Sequence, residues 1–340
     1  MKDSRERSHP VAMPTRMVVS LLLLTSVLGC DEAKEESKSE AKDNVEAKDK
    51  AETKDKAKAK NEEMSPAKGD SVRVVLHRPF AVGDEFSFVG SGTDETHRTV
   101  VVGGQTVEES NESMSILLKA DAKVHQVNDK GQPTQTEFRV VSCTAADDPS
   151  RTLLDPGDVF MVLASDEVDG NKISFPPGIG GPDMEAHIKI LFDLKVGTTD
   201  DELFGNEERV EMGDTWSIDQ KMAAAELSSG SLEVDAEDIS GKIELKGTED
   251  VDGEPCHRFS SEMTAKDFEM SDMKPGSKLN RIMVTAKRDR LLPVDTSKPS
   301  RGGTQNLHMK MSLELPSEGG PAPVVNLDTT TKRTIDIRPK

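Results

Sequence analysis

Four stretches of this 340-residue chain hold side chains that could do chemistry. His308-Met309-Lys310-Met311, with Met270 and Met273, offers soft ligands of the kind that suit Cu(I). Leu307, Met309, Met311, Leu313 and Leu315, however, alternate strictly with polar residues. That is the period of a strand with one buried face, so the methionines read as core filler. Asp166-Glu-Val-Asp169-Gly170 and Glu249-Asp250-Val-Asp252-Gly253 place carboxylates before a glycine. Neither supplies the alternate oxygens and distal bidentate Glu of a calcium loop, and both read as Asp-Gly hairpin turns.

Cys256 precedes His257, but neighbours on a strand face opposite ways, so a nucleophile–base pair is not expected there. Gly178-Ile-Gly-Gly181 precedes a candidate helix but lacks the Lys-Ser/Thr of a phosphate loop. Gly-x-Ser-x-Gly, Ser-x-x-Lys with its companions and His-Glu-x-x-His are missing from the sequence. The expectation is a non-enzymatic protein with no catalytic residues, metal ligands or cofactor.

Composition narrows the partners. The formal net charge is −19, and residues 1–30 carry four Lys/Arg against two Asp/Glu, which leaves −21 on the remainder. A body this acidic repels nucleic acid and anionic lipid headgroups. One Trp and no Tyr argue against the aromatic platforms of sugar- and peptide-binding clefts.

The segment Leu21–Cys30 reads LLLLTSVLGC. Lys2, Arg5, Arg7 and Arg16 precede an apolar core from Met17 to Leu28, which is shorter than the ~20 residues of a membrane span. Val27, Gly29 and Cys30 match the lipobox pattern, so the segment resembles the signal peptide of a bacterial lipoprotein. The resemblance implies cleavage after residue 29, acyl chains on Cys30 and a membrane anchor built from several chains. The localisation that follows is the cell membrane or outer membrane, with the body facing the periplasm or the exterior.

Residues 30–69 are almost wholly Lys, Glu, Asp and Ala. They lack the apolar surface to offset ordering entropy and read as a disordered or partly helical tether. Cys143 and Cys256 remain as an even pair outside the cytoplasm, where a disulfide between them is expected.

From Val72 onward short β-rich runs alternate with Gly, Asp, Asn and Pro turns. The expectation is a mainly β body of antiparallel curved sheets in two halves, 70–196 and 197–340. Phe80–Phe88 and Val210–Ile218 share a Gly-Asp turn feeding a strand, and Gly131-Gln-Pro133 and Gly253-Glu-Pro255 echo each other later. Phe86–Ser91 and Arg98–Val102 are expected to pair as a hairpin. One helix, Asp183–Leu194, is expected between the halves.

The layout of anchor, tether, curved sheet and covering helix resembles the half-barrel of lipoprotein-carrier and related envelope lipoproteins. It implies a binding or scaffold module, or a carrier or sensor of an apolar ligand on the concave face. An enzyme of unrecognised type is the remaining class.

Overall fold

The computed structural model describes residues 71–165, 172–192, 196–228, 232–271, 273, 275–317 and 319–340. The anchor sequence with Cys30, the tether and the Asp166–Gly170 stretch lie outside these residues.

The first half holds β1 (Val72–Arg73), β2 (Glu85–Val102), β3 (Gln105–Val127), β4 (Pro133–Thr144), β5 (Thr152–Leu154), β6 (Val159–Leu163) and β7 (Lys172–Ser174). Helices α1 (Pro182–Lys189) and α2 (Asp200–Phe204) follow, then β8 (Arg209–Val210), β9 (Thr215–Ser217) and α3 (Gln220–Leu227). The chain ends with β10 (Leu232–Glu233), β11 (Ile239–Val251), β12 (Glu254–Lys266), β13 (Glu269–Met270), β14 (Lys278–Pro293), β15 (Gly302–Glu314) and β16 (Val324–Pro339).

The main sheet is antiparallel, in the order β7-β6-β4-β3-β2-β16-β15-β14-β12-β11-β9, with β5 beside β4. It ends on β7 and β9 and does not close into a barrel. The mainly β, antiparallel architecture expected from sequence is therefore the observed one.

Its tight turns follow from backbone chemistry. Gly103 and Gly104 (φ 58° and 81°) join β2 to β3, and Asp252 and Gly253 (φ 55° and 83°) join β11 to β12. Two successive positive-φ residues match the twist of the flanking strands.

The Gly-Asp turns share one construction. Asp84 Oδ2 accepts from the Ala81 amide at 2.7 Å, while the Gly83 amide donates to the Val124 carbonyl at 2.8 Å. Asp214 and Gly213 repeat this with Glu211 (2.6 Å) and Leu245 (2.7 Å). A third copy, absent from the sequence expectation, joins Asp158 and Gly157 to Asp155 (2.9 Å) and Val140 (2.8 Å).

The expected hairpin of Phe86–Ser91 with Arg98–Val102 is corrected: both runs belong to the single strand β2. The Gly90-Ser-Gly92-Thr-Asp94 segment, which begins within the first run, looks like a turn because its covered-face positions carry glycine and aspartate. Those glycines make room for the chain after α1. A Cβ on Gly92 would stand 2.5 Å from Ile190, and one on Gly90 would stand 3.1 Å from Leu191.

The single expected helix is likewise corrected. It stops at Lys189 and continues as a tighter turn, with the Leu191 amide donating to the Ile188 carbonyl. Ile188 and Leu191 are fully buried, and Phe192 stacks on Phe88 at 5.3 Å. Helix α1 thus covers the first half of the sheet, and α2 and α3 are additional. Among the described residues no helix is long and apolar enough to cross a membrane.

Two apolar clusters lie on the covered face. One is built on Phe86, Phe88, Phe138 and Phe160, and the other on Ile243, Leu245, Phe259, Ile282 and Val284. Strand β16 serves both: Val325 and Leu327 join the second cluster, while Ile335 and Ile337 pack against the first. Val74 and Leu76, from the start of the body, also belong to the second.

The expected disulfide is corrected too. Cys143 and Cys256 are free, buried thiols. They sit on β4 and β12 with five strands between them. Cys143 faces the first cluster opposite Leu118, whereas Cys256 lies opposite Pro293, out of phase with the buried Leu292. Disulfide geometry requires Cα atoms within about 7 Å.

Candidate functional site

The covered face of β14 runs Ile282, Val284, Ala286, Arg288, Arg290, Leu292 by period-two alternation. The apolar parity is interrupted by two arginines and then resumes. On β16 the same face runs Leu327, Thr329, Thr331, Arg333, Ile335.

Strand register brings these interruptions into one row. Ser261 of β12 lies opposite Arg288, Arg288 opposite Gln305 of β15, Gln305 opposite Arg333, and Arg333 opposite Gly92 of β2. Directly opposed residues share a face, so Ser261, Arg288, Gln305 and Arg333 form a polar row between the two apolar clusters.

The neighbouring row sets Arg290 opposite Gly303 and Gly303 opposite Ile335. Gly302 and Gly303 (φ 102° and 156°) leave that part of the sheet bare of side chains. A Cβ on either would collide with the backbone of the next strand, at Ile335 or Asp289.

Above these rows a cavity of about 380 Å³ opens, roofed by Thr199, Asp200 and Leu203 of the α2 segment and Glu226 and Leu227 of α3. Its size falls near the low end of the ~300–1,000 Å³ typical of small-molecule pockets.

Helix α2 is short, and its place is fixed by contacts at both ends. Thr199 caps it with Glu202 in a reciprocal capping box. From the first half of the sheet, Lys130 Nζ donates to both Glu202 carboxylate oxygens (2.8 and 2.9 Å) and to the Gly197 carbonyl (2.8 Å). Gln132 adds bonds to Thr198 and Gly197 at 3.1 and 2.8 Å. From the second half, Arg290 forms an ion pair with Asp200. The Trp216 indole N–H closes the far end on the Phe204 carbonyl at 2.8 Å.

The electrostatics follow from this clamp. Burial pushes the Asp200 carboxyl up, but Arg290 and Arg288 together overcome it and hold Asp200 below the usual aspartate value. Hydrogen bonding from Lys130, aided by the Thr199 amide, lowers Glu202 to about 2. On the same face Asp94 is buried. Its desolvation raises its carboxyl above the ordinary range, opposed by a 2.6 Å bond from the Thr331 hydroxyl. Next to it the Thr96 and Thr329 hydroxyls meet at 3.1 Å.

The stretches singled out in the sequence fall elsewhere. Met309 and Met311 are buried in the second cluster, while His308 turns to the open face and meets Asp328 at 2.7 Å. Asp250 accepts from the Gly253 amide at 2.7 Å and Asp252 holds Arg301 at 3.0 Å, so these carboxylates serve the turn. His257 shares its face with Phe259, the ring centroids lying 6.2 Å apart, and Cys256 lies on the other. Among the described residues no group of three or more His, Cys, Asp or Glu could hold a metal ion.

The cavity residues were not expected from the sequence. The signal available was the Arg288–Arg290 break in the apolar parity of a strand and the Thr199-x-x-Glu202 capping box.

Fold and site together define an open antiparallel sheet with helices over one face and a cavity lined by charged residues between two cores. No protein-family model matches the chain, and no curated protein does. Among solved structures, the outer membrane protein OprG from Pseudomonas aeruginosa aligns at 7% identity, covering 77% of this chain and 97% of that one, with a TM-score of 0.25. Lipovitellin aligns at 6% identity over 77% of this chain and 26% of its own, with a TM-score of 0.24. Pseudomonas aeruginosa OpdQ aligns at 7% identity over 75% and 98%, with a TM-score of 0.21. Likeness this slight carries no functional argument.

Proposed function

We propose that this chain is a lipid-anchored bacterial envelope protein whose β body is a non-enzymatic receptor for a small ligand. The ligand occupies the cavity beneath α2 and α3. One observation carries the reading: the covered-face apolar parity of β14 and β16 is broken by Arg288, Arg290 and Arg333 at the floor of a cavity of about 380 Å³. Polar groups converging in a cavity between apolar walls are the usual form of a binding site.

A carrier of wholly apolar molecules fits this less well. The first cluster is packed with aromatic rings, Phe138 stacking on Phe160 at 5.2 Å and meeting Phe192 at a tilt at 4.9 Å. The anchor part of the proposal rests on Leu21–Cys30, and an envelope location follows from it.

Hydrogen exchange tests the cavity. The full-length Cys30→Ser chain is exported, purified, and compared before and after stripping by unfolding and refolding. Faster exchange of the 199–204 amides in the stripped protein is the expected result. Equal exchange would count against an occupied cavity.

A further inference from the structure

We propose that the cavity is entered through the seam between α2 and the β3–β4 turn, which Lys130 and Gln132 latch shut. The gate goes beyond the receptor reading, because access to the cavity is measurable with nothing bound in it.

The two sides of α2 are held by different chemistry. Towards the second half the hold is largely apolar. Phe204 is buried in the second cluster and Leu203 packs against it. The Asp219 amide donates to the Leu203 carbonyl at 3.1 Å, and Trp216 bonds to Phe204. Asp201 accepts from the Leu76 amide at 2.6 Å, and Asp200 pairs with Arg290.

Towards the first half the hold is polar and comes from one turn, Asn128–Gln132. Lys130 Nζ reaches Glu202 and the Gly197 carbonyl, while Gln132 reaches Gly197 and Thr198. The Lys130 and Glu202 side chains are 38% and 41% exposed. An ion pair this open holds weakly and is screened by salt, whereas buried apolar contact is not. When α2 loosens, the seam at Lys130 parts before the packing at Phe204 does.

The turn is organised to make this latch. Asn128 Oδ1 accepts from the Lys130 and Gln132 amides at 3.0 and 2.9 Å, and Asn128 Nδ2 donates to Gln132 Oε1 at 2.8 Å. That last bond orients the Gln132 side chain. Its Oε1 then accepts from the Gly197 amide, while its Nε2 donates to the Thr198 carbonyl. Gly197 (φ 126°) gives the backbone freedom at the point where the latch attaches.

Latch and cavity wall are the same residues. Gln132 and Thr198 bond across the seam and both line the cavity, with Thr199 and Phe80 beside them. Parting that bond opens the wall itself. A second line of contacts keeps the two sides within reach. The Phe80 amide donates to the Gly131 carbonyl at 2.8 Å, His77 meets the Lys130 carbonyl at 2.7 Å, and four residues before Phe80 the Leu76 amide holds Asp201.

The test measures how fast a reagent reaches the cavity. Ser261→Cys places a thiol on its lining in the full-length Cys30→Ser chain. The protein is stripped by unfolding and refolding, so an occupant cannot shield the thiol. Iodoacetamide, which is uncharged, is the probe, and peptide mass spectrometry follows the label at position 261. Labelling should quicken as salt rises from about 0.05 to 1 M. Lys130→Met with Gln132→Ala should quicken it about tenfold or more and remove most of the salt dependence, and Lys130→Arg should stay slow.

The salt series needs no latch variant, so misfolding of one does not shelter the proposal. Equal rates with and without the latch at every salt concentration, including no labelling in any sample, overturn it. Acceleration shared by Cys143, which is buried in the first cluster, means general loosening and also overturns it. None of these outcomes bears on whether the cavity holds a ligand, so the gate and the receptor reading fail separately.

Discussion

The Asp200 carboxylate at the first turn of α2 pairs with the Arg290 guanidinium near the C-terminal end of β14, and that pair joins the roof of the cavity to its floor. Lys130 holds the same helix from the opposite half of the sheet through Glu202. A helix of five residues has little stability of its own, so its position depends on these contacts.

Asp200→Asn should therefore cost about 1–3 kcal/mol, between the limits for exposed and buried pairs, because Arg290 keeps its charge and loses its partner. Denaturant unfolding measures the loss. The single Trp216, bonded to Phe204, should report a change in native fluorescence as α2 loosens.

Glu202 gives the clamp an acid limit. Its carboxyl lies at about 2 in the fold against an ordinary 4.5. A lowered carboxylate contributes stability that is fully present above about 4.5 and is lost as pH falls towards about 2. Glu202→Gln should flatten the pH dependence of unfolding in that window and leave the slope above pH 6 unchanged.

Asp94 has the opposite sign. Burial raises its carboxyl, so the fold favours the protonated form, and ionisation as pH rises disfavours the native state. Asp94→Asn keeps an acceptor for the Thr331 hydroxyl and removes the buried charge. It should raise the midpoint of thermal unfolding at pH 7, with the gain shrinking towards pH 4.

Much of this was readable in the sequence. The Gly-Asp turns, the Asp252-Gly253 hairpin and the alternation that buries Met309 and Met311 all follow from local chemistry. The long strand β2 was not readable, because Gly90, Gly92 and Asp94 carry turn composition while lying flat in the sheet. Their reason is tertiary: Ile190 and Leu191 need the space, and Thr331 supplies a partner for Asp94. The cavity was hidden for a similar cause. Arg288 and Arg333 lie 45 positions apart in the chain and meet only through register with Gln305. Even so, two arginines on the apolar parity of β14 were visible as an anomaly.

Gly92→Val tests the tertiary explanation of β2. A side chain there runs into Ile190, and overpacking of this kind costs about 1–3 kcal/mol or more. Hydrogen exchange should show the loss concentrated in α1 and its following turn rather than in β11 and β12.

The two thiols should be inert in the native protein. Burial pushes Cys143 up to about 11 and raises Cys256, with Glu254 adding to the latter. A thiol reagent at pH 7 should leave both unmodified until denaturant is added, and then label both without prior reduction.

The central claim is that the cavity beneath α2 holds a ligand. Native mass spectrometry of the full-length Cys30→Ser chain, taken straight from export, is its most direct test when run beside Ser261→Phe, which fills the cavity beside Arg288. The account predicts a stoichiometric non-covalent adduct on the first protein and its loss from the second at unchanged fold. Bare protein masses for both, or an adduct that Ser261→Phe does not displace, would contradict it.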